Sequence, residues 1–233
     1  MFQTYLIDPL YNAFVFLIGL MPNSDAGLAI IALTIIIRII LYPLFTSSIR
    51  TQIGMQAMQA ELEETKKQFE NNKEALAKHQ MELARKHKVN PLSMIGALIV
   101  QFGILIALYF ALFREGFPEI NQNLLYSWVH TPSLVDTSFF GLMDLLATHN
   151  IILVLIVAGT QYLAIKLTLV RTPLPSPNSD KHVAARLQQQ MMLYFMPAMI
   201  GVVSYFFPAA VGLYFVTSNV FSIVQEWLIR KQQ

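Results

Sequence analysis

Apolar residues run nearly unbroken over positions 27–46, 92–113, 150–170, 190–207 and 208–229. Each stretch comes close to the ~20 residues that a helix needs to cross about 30 Å of hydrocarbon. The pattern predicts an all-α integral membrane protein with five transmembrane helices. The first span is closed by Pro43 and the polar run Thr46-Ser47-Ser48. The second follows Asn90-Pro91 and carries Gln101, and the third contains Thr160 and Gln161. The last two meet at a tight Phe207-Pro208 corner. Pro197 sits inside the fourth, which a membrane helix tolerates when neighbours satisfy the freed carbonyl.

Between the spans the composition changes. Segment 1–26 has an apolar stretch of only about a dozen residues, Leu10–Met21, after Asp8-Pro9. That is short of a span and predicts an N-terminal interfacial helix with Pro9 in its first turn. Residues 47–90 are rich in Gln, Glu, Lys and Ala, and Glu63/Lys67, Glu74/Lys78 and Glu82/Lys86 place acid before base at i,i+4. Asn71-Asn72 breaks this run. An apolar stripe of Met55, Met58, Leu62 and Phe69 faces a second of Leu76, Met81 and Leu83, which predicts a helical hairpin outside the bilayer. The loop Arg114–Thr148 holds Tyr126, Trp128, Phe139 and Phe140, residues typical of an interfacial belt. Loop 171–186 is proline-rich and cannot be a regular helix. The domain reading is thus an N-terminal segment 1–26 and a core 27–233.

Composition narrows the class. The 233 residues are 55% hydrophobic and 13% charged, about half the charge fraction of soluble domains. The absence of cysteine rules out disulfides and thiolate metal sites. Arg50, Lys66, Lys67, Lys73, Lys78, Arg85, Lys86 and Lys88 cluster on the hairpin. Lys166, Arg171, Lys181 and Arg186 surround the proline-rich loop, and Arg230 and Lys231 end the chain, while the other side has only Arg114. By the positive-inside rule the N-terminus is outside and the hairpin and C-terminus are cytoplasmic.

One cation lies where none is expected. Arg38 is centred in the run LAIIALTIIIRIIL, and a guanidinium stays charged at any physiological pH. Its cost at a helix centre is roughly 2.5–3.5 kcal/mol on insertion scales, which makes it a candidate functional group. No acidic residue falls in the first four spans, and Glu226 sits near the cytoplasmic end of the fifth. The candidate companions are therefore uncharged: Thr34 one turn away, with Tyr42 extending that stripe, then Gln101, Gln161, Ser218 and Asn219. The five histidines have no metal-ligand spacing. G-x-S-x-G, H-E-x-x-H and a glycine-rich phosphate loop are all missing. No cofactor, metal or enzymatic activity is expected. The residues alone leave open a polar intramembrane groove, a small transporter or anion channel with Arg38 as counter-ion, and an assembly subunit.

Several stretches together resemble the YidC/Oxa/Alb family of membrane-protein insertases. They are GLAIIALTIIIRIILYPL (27–44), KHKVNPL (86–92), Gln101 with LYFAL (108–112), LYSWVH (125–130) and QQMMLYFMPAMIGVVSYFFPAAVGLYFVTSNVFSIVQEWLIRK (189–231). The resemblance implies five core spans around a hydrophilic groove that is open to the cytoplasm and lipid. It implies that Arg38 is the important arginine, with Thr34 before it, and that Tyr214 and Phe215 are the aromatic pair of the fifth span. It also implies a bacterial plasma-membrane location and a role as insertase and chaperone. The partners would be nascent membrane proteins and the bilayer, with the Sec translocon and the ribosome as further candidates and no sequence-specific nucleic-acid binding. The chain departs from many relatives at Gln101-Phe102-Gly103, where they have Gln-x-Pro, and at Ala97, where they have proline. The large external domain of Gram-negative relatives and a long basic tail have no counterpart in these residues, and the lack of the latter weakens the case for independent ribosome docking.

Overall fold

A computed structural model of the chain describes residues 3–65, 73–114, 117–132, 134–169, 187 and 190–231. The proline-rich loop 171–186, the Asn71-Asn72 break, Phe69 and Lys67 lie outside the described residues. Asp8–Leu20 forms α1, with proline in its first turn. Ala26–Ile40 is α2, Tyr42–Thr65 is α3, Lys73–Lys86 is α4 and Pro91–Tyr109 is α5, which a π turn extends over Phe110–Arg114. Ile151–Leu169 is α6. A π turn at Met191–Phe195 leads into α7, Met196–Phe206, and Ala209–Lys231 is α8. A two-residue hairpin, β1 Ser138–Phe139 against β2 Met143–Asp144, lies between α5 and α6.

The protein is mostly helical. Among the described residues, Pro91–Phe113 and Ile151–Thr168 are each long and apolar enough to cross a membrane, and Ala26–Gln59 adds a third if its bent pair counts as one span. Their outer faces carry Ile40, Ile99, Ile152 and Leu155, all exposed. A contiguous apolar surface of this kind belongs against lipid rather than water.

The first span departs from the expected 27–46. Helix α2 stops at Ile40, Leu41 leaves helical geometry, and α3 sets off at 67°. Pro43 is the cause, because it has no N–H to give the carbonyl four residues back and its ring clashes there. The helix that continues into the first arm of the hairpin therefore begins at Tyr42. Tyr42 no longer continues the Thr34–Arg38 stripe.

The N-terminal segment is built into the main core. Phe14 and Ile18 of α1 are fully buried against Ile30 and Leu33 of α2, Leu108 of α5 and Tyr214 of α8. Asn12 donates to Leu124 O at 2.9 Å and accepts from Tyr126 N, tying α1 to the loop after α5.

Hydrogen bonds sort the helix ends into two groups. At one end Ala26 N donates to Asp136 O, Ala209 N to Ala147 O, Ala210 N to Leu145 O and His149 N to Tyr205 O. These bonds satisfy amides that a helix start otherwise leaves free. At the other end Thr51 bonds Ser93, Gln56 donates to Thr168 O, and Glu226 accepts from Thr168 and Arg230. Consecutive apolar helices thus run in alternating directions.

In the hairpin, Met58 and Leu83 are buried between the arms, whereas Met81, expected on that stripe, is 62% exposed. Lys86 reaches across to Glu61, which also meets His87 Nε2 at 2.9 Å. Gly54 of α3 lies so close to His87 O that a Cβ there would overlap it, which fixes the base of the hairpin. The Lys86 and His87 bonds hold the Glu61 carboxyl below its ordinary value of 4.5. A carboxylate with a depressed folded pKa stabilises fully above that value and loses the effect as pH falls through the lower folded one. Spin labels replacing the exposed Gln59 and Gln80 are expected to separate in acid. Glu61→Gln should give the separated distribution already at neutral pH; an unchanged distance would show that the ion cluster does not hold the arms.

Candidate functional site

The outer end of α2 is fixed by Asp25, whose carboxylate accepts from Gly27 N at 2.7 Å and Leu28 N at 3.0 Å. This N-cap satisfies two of the orphan amides. Arg38 comes three turns later, in the last turn of α2, where a cation complements free carbonyls. On α5, Asn90 caps the helix start and accepts from Leu92 N, and Gln101 follows three turns on. Tyr214 and Ser218 sit four residues apart on α8 and so share a face.

These three helices bring four side chains together. Arg38 Nε donates to Ser218 Oγ at 2.9 Å, and Nη2 donates both to Ser218 Oγ and, at 3.0 Å, to Gln101 Oε1. Gln101 Nε2 in turn donates to Tyr214 OH at 2.8 Å. Arg38 is 7% exposed and Tyr214 2%. Among the described residues no carboxylate reaches Arg38. The Phe45 ring instead lies over the guanidinium, with its centroid 4.3 Å from Cζ.

The energetics permit this without a counter-ion. Hydrogen bonds to a charged group contribute roughly 1.5–3 kcal/mol each, and a desolvated cation–π contact about 2. Together these offset the insertion cost given above. The bonded donors are Nε and Nη2. Among the described residues no acceptor meets Nη1.

Other candidates lie elsewhere. Thr34 is buried, but its hydroxyl donates to Ile30 O of its own helix at 2.7 Å. Asn219 donates to Thr160 Oγ1 at 3.2 Å, joining α8 to α6. Gln161 joins the Arg38 cluster through no hydrogen bond; its neighbour Thr160 takes the interhelical role. Two participants were missed from sequence. Phe45 reaches Arg38 only because the chain bends at Leu41. Gln225, 2% exposed, donates to Tyr42 O at 3.1 Å and to Thr46 Oγ1 at 3.0 Å. Its seven-residue spacing from Ser218 was the available signal. A cavity of about 450 Å³ opens between α5, α7 and α8, lined by Ile106, Tyr109, Val203, Phe207 and Phe215 among others. It is apolar and does not include Arg38.

Residues 17–233 match the model of the family described as 60Kd inner membrane protein. Among curated proteins, the chain is 35% identical over 214 residues to the membrane protein insertase YidC of Oceanobacillus iheyensis, covering 90% of this chain and 76% of that protein. It is 30% identical over 225 residues to the protein of the same name from Actinobacillus pleuropneumoniae, covering 97% of this chain and 36% of that one. The corresponding Bordetella pertussis protein is 32% identical over 228 residues, covering 98% and 35%. The chain therefore spans most of the first relative and little more than a third of the other two.

Proposed function

The chain belongs to the 60Kd inner membrane protein family, whose members are not enzymes, and on that premise we propose that it inserts nascent membrane proteins into a bacterial plasma membrane. Five crossings are proposed, α2 with the start of α3, then α5, α6, α7 with its preceding turn, and α8. The N-terminus is outside and the hairpin and C-terminus are cytoplasmic. Arg38, Gln101, Tyr214 and Ser218 form the polar wall of an intramembrane groove. Thr34, Gln161 and Asn219 contribute its flanks.

The observation that carries this reading is a guanidinium deep in an apolar bundle, held by an amide and a hydroxyl rather than by a carboxylate. Its net charge is therefore not cancelled. An acidic residue of a client tail at roughly 10 Å would feel about 1.7 kcal/mol of attraction at an effective dielectric constant near 20. A polar pocket halfway across also shortens the low-dielectric path that the tail must cross. The client's apolar segment then partitions sideways into lipid, and that transfer drives release. The hairpin α3–α4 captures the emerging chain on the cytoplasmic side. The Sec translocon and the ribosome are proposed as partners in delivery.

Reconstitution of the purified protein in liposomes, with a single-span client and protease protection of its translocated tail, tests the proposal. Protection that depends on the protein supports it. Solute flux without client protection would instead make the protein a transporter or channel.

A further inference from the structure

Gln225 is a buried amide with an unusual balance. Its NH2 group makes two hydrogen bonds, to Tyr42 O and Thr46 Oγ1, while its Oε1 is buried with no partner among the described residues. An unmatched buried oxygen is costly, and an apolar side chain of similar size would avoid the cost. What the amide does in return is visible from where its bonds go. Tyr42 and Thr46 are the first turn of α3, immediately past the 67° elbow at Leu41.

Arg38 is in the last turn before that elbow and Phe45 in the first turn after it. The bend is what lays the Phe45 ring over the guanidinium. On α8, Ser218 and Gln225 are seven residues apart, two turns along one face. That face therefore grips the elbow on both sides, with Ser218 bonded to Arg38 before the bend and Gln225 bonded to the backbone and hydroxyl after it. A change in elbow angle would pull both of Gln225's acceptors away. At Leu41 the dihedral angles leave the helical range, and the backbone is held there by two bonds, Leu41 N donating to Ile37 O and Phe45 N to Leu41 O, so the side-chain bonds of Gln225 add to them.

We propose that Gln225 is a positioning residue that brackets the α2–α3 elbow, holding Arg38 and Phe45 in register and setting the direction in which the hairpin leaves the bundle. The functional half of this rests on the reading of Arg38 as the client-recruiting group; the geometric half does not.

The test uses the full chain, whose lack of cysteine allows spin labels at chosen sites. Labels replacing the exposed Ile36 on α2 and Gln59 on α3 report the elbow distance by pulsed EPR in liposomes. Gln225→Leu is expected to broaden or shift that distribution, with the melting temperature of the labelled protein retained. Client insertion should fall about threefold to tenfold, the worth of one or two lost hydrogen bonds. Thr46→Val should give a smaller effect in the same direction, and the double variant no more than Gln225→Leu alone. An unchanged distance distribution in Gln225→Leu would overturn the bracket. A shifted distribution with full insertion would overturn the positioning role. Should Arg38→Ala itself insert clients normally, the reading of Arg38 falls, and a shifted elbow still upholds the bracket.

Discussion

Replacing Arg38 by alanine is expected to abolish insertion of clients with acidic tails, while clients with neutral tails keep most of theirs. The attraction of about 1.7 kcal/mol per acidic residue corresponds to about fifteenfold in rate or occupancy, and two such residues compound it. Arg38→Lys keeps the charge, so it should retain much of the activity. Lysine has no planar fork, however, and cannot hold Ser218 and Gln101 as the guanidinium does. The lysine variant is therefore expected between wild type and alanine, nearer to wild type. Protease protection of a client series with zero, one and two tail carboxylates measures this directly. Equal loss in both variants would mean that the shape of the Arg38 contacts matters and its charge does not. Wild-type behaviour in both would remove Arg38 from the mechanism.

The second large effect is expected at the far end of the same helix. Asp25 is 5% exposed and accepts from Gly27 N, Leu28 N and, through its other oxygen, Phe140 N at 3.1 Å. One carboxylate thus starts α2 and pins the loop that follows α5. That loop sends Leu145 into the main core, and its carbonyls receive the first amides of α8. Phe139 packs where a side chain on Gly27 would otherwise sit. Asp25→Ala should cost about 2–4 kcal/mol, a lost cap together with a lost bond to a charged acceptor. The melting temperature in detergent should fall, and proteolysis should begin within 136–147. Asp25→Asn, which keeps an acceptor oxygen for the helix start, should lose less. If the alanine variant melts like wild type with the loop still protected, the loop does not depend on this cap.

The sequence made the helices legible because their signal is local. An apolar run long enough for a bilayer declares itself residue by residue, and α6, α8 and, with their π turns included, α5 and α7 coincide with the apolar runs to within two positions. Faces were harder to assign. Neighbouring helix residues point about 100° apart, so Ser218 and Asn219 cannot both face Arg38. Ser218 does, and Asn219 turns to α6. The same rotation separates Thr160, which meets Asn219, from Gln161. Choosing between adjacent polar residues requires knowing how each helix is turned about its axis. That turn is set by packing against every neighbour at once.

By itself, the sequence determined that the chain is a helical membrane protein and that Arg38 stands in an apolar run with no acidic residue in it. Hydrophobic length and the cost of a buried charge are properties of single segments, so no partner helix is needed to read them. The tertiary structure alone decided in which direction the chain turns at Leu41, that Phe45 thereby folds back onto Arg38, that Gln225 bonds the start of α3 and that one face of α1 is buried in the core. Each of these depends on how whole helices pack, even where the residues that meet are near in the chain. Pro43 breaks the helix, and packing sets the angle, with α8 against both arms and α5 against α3.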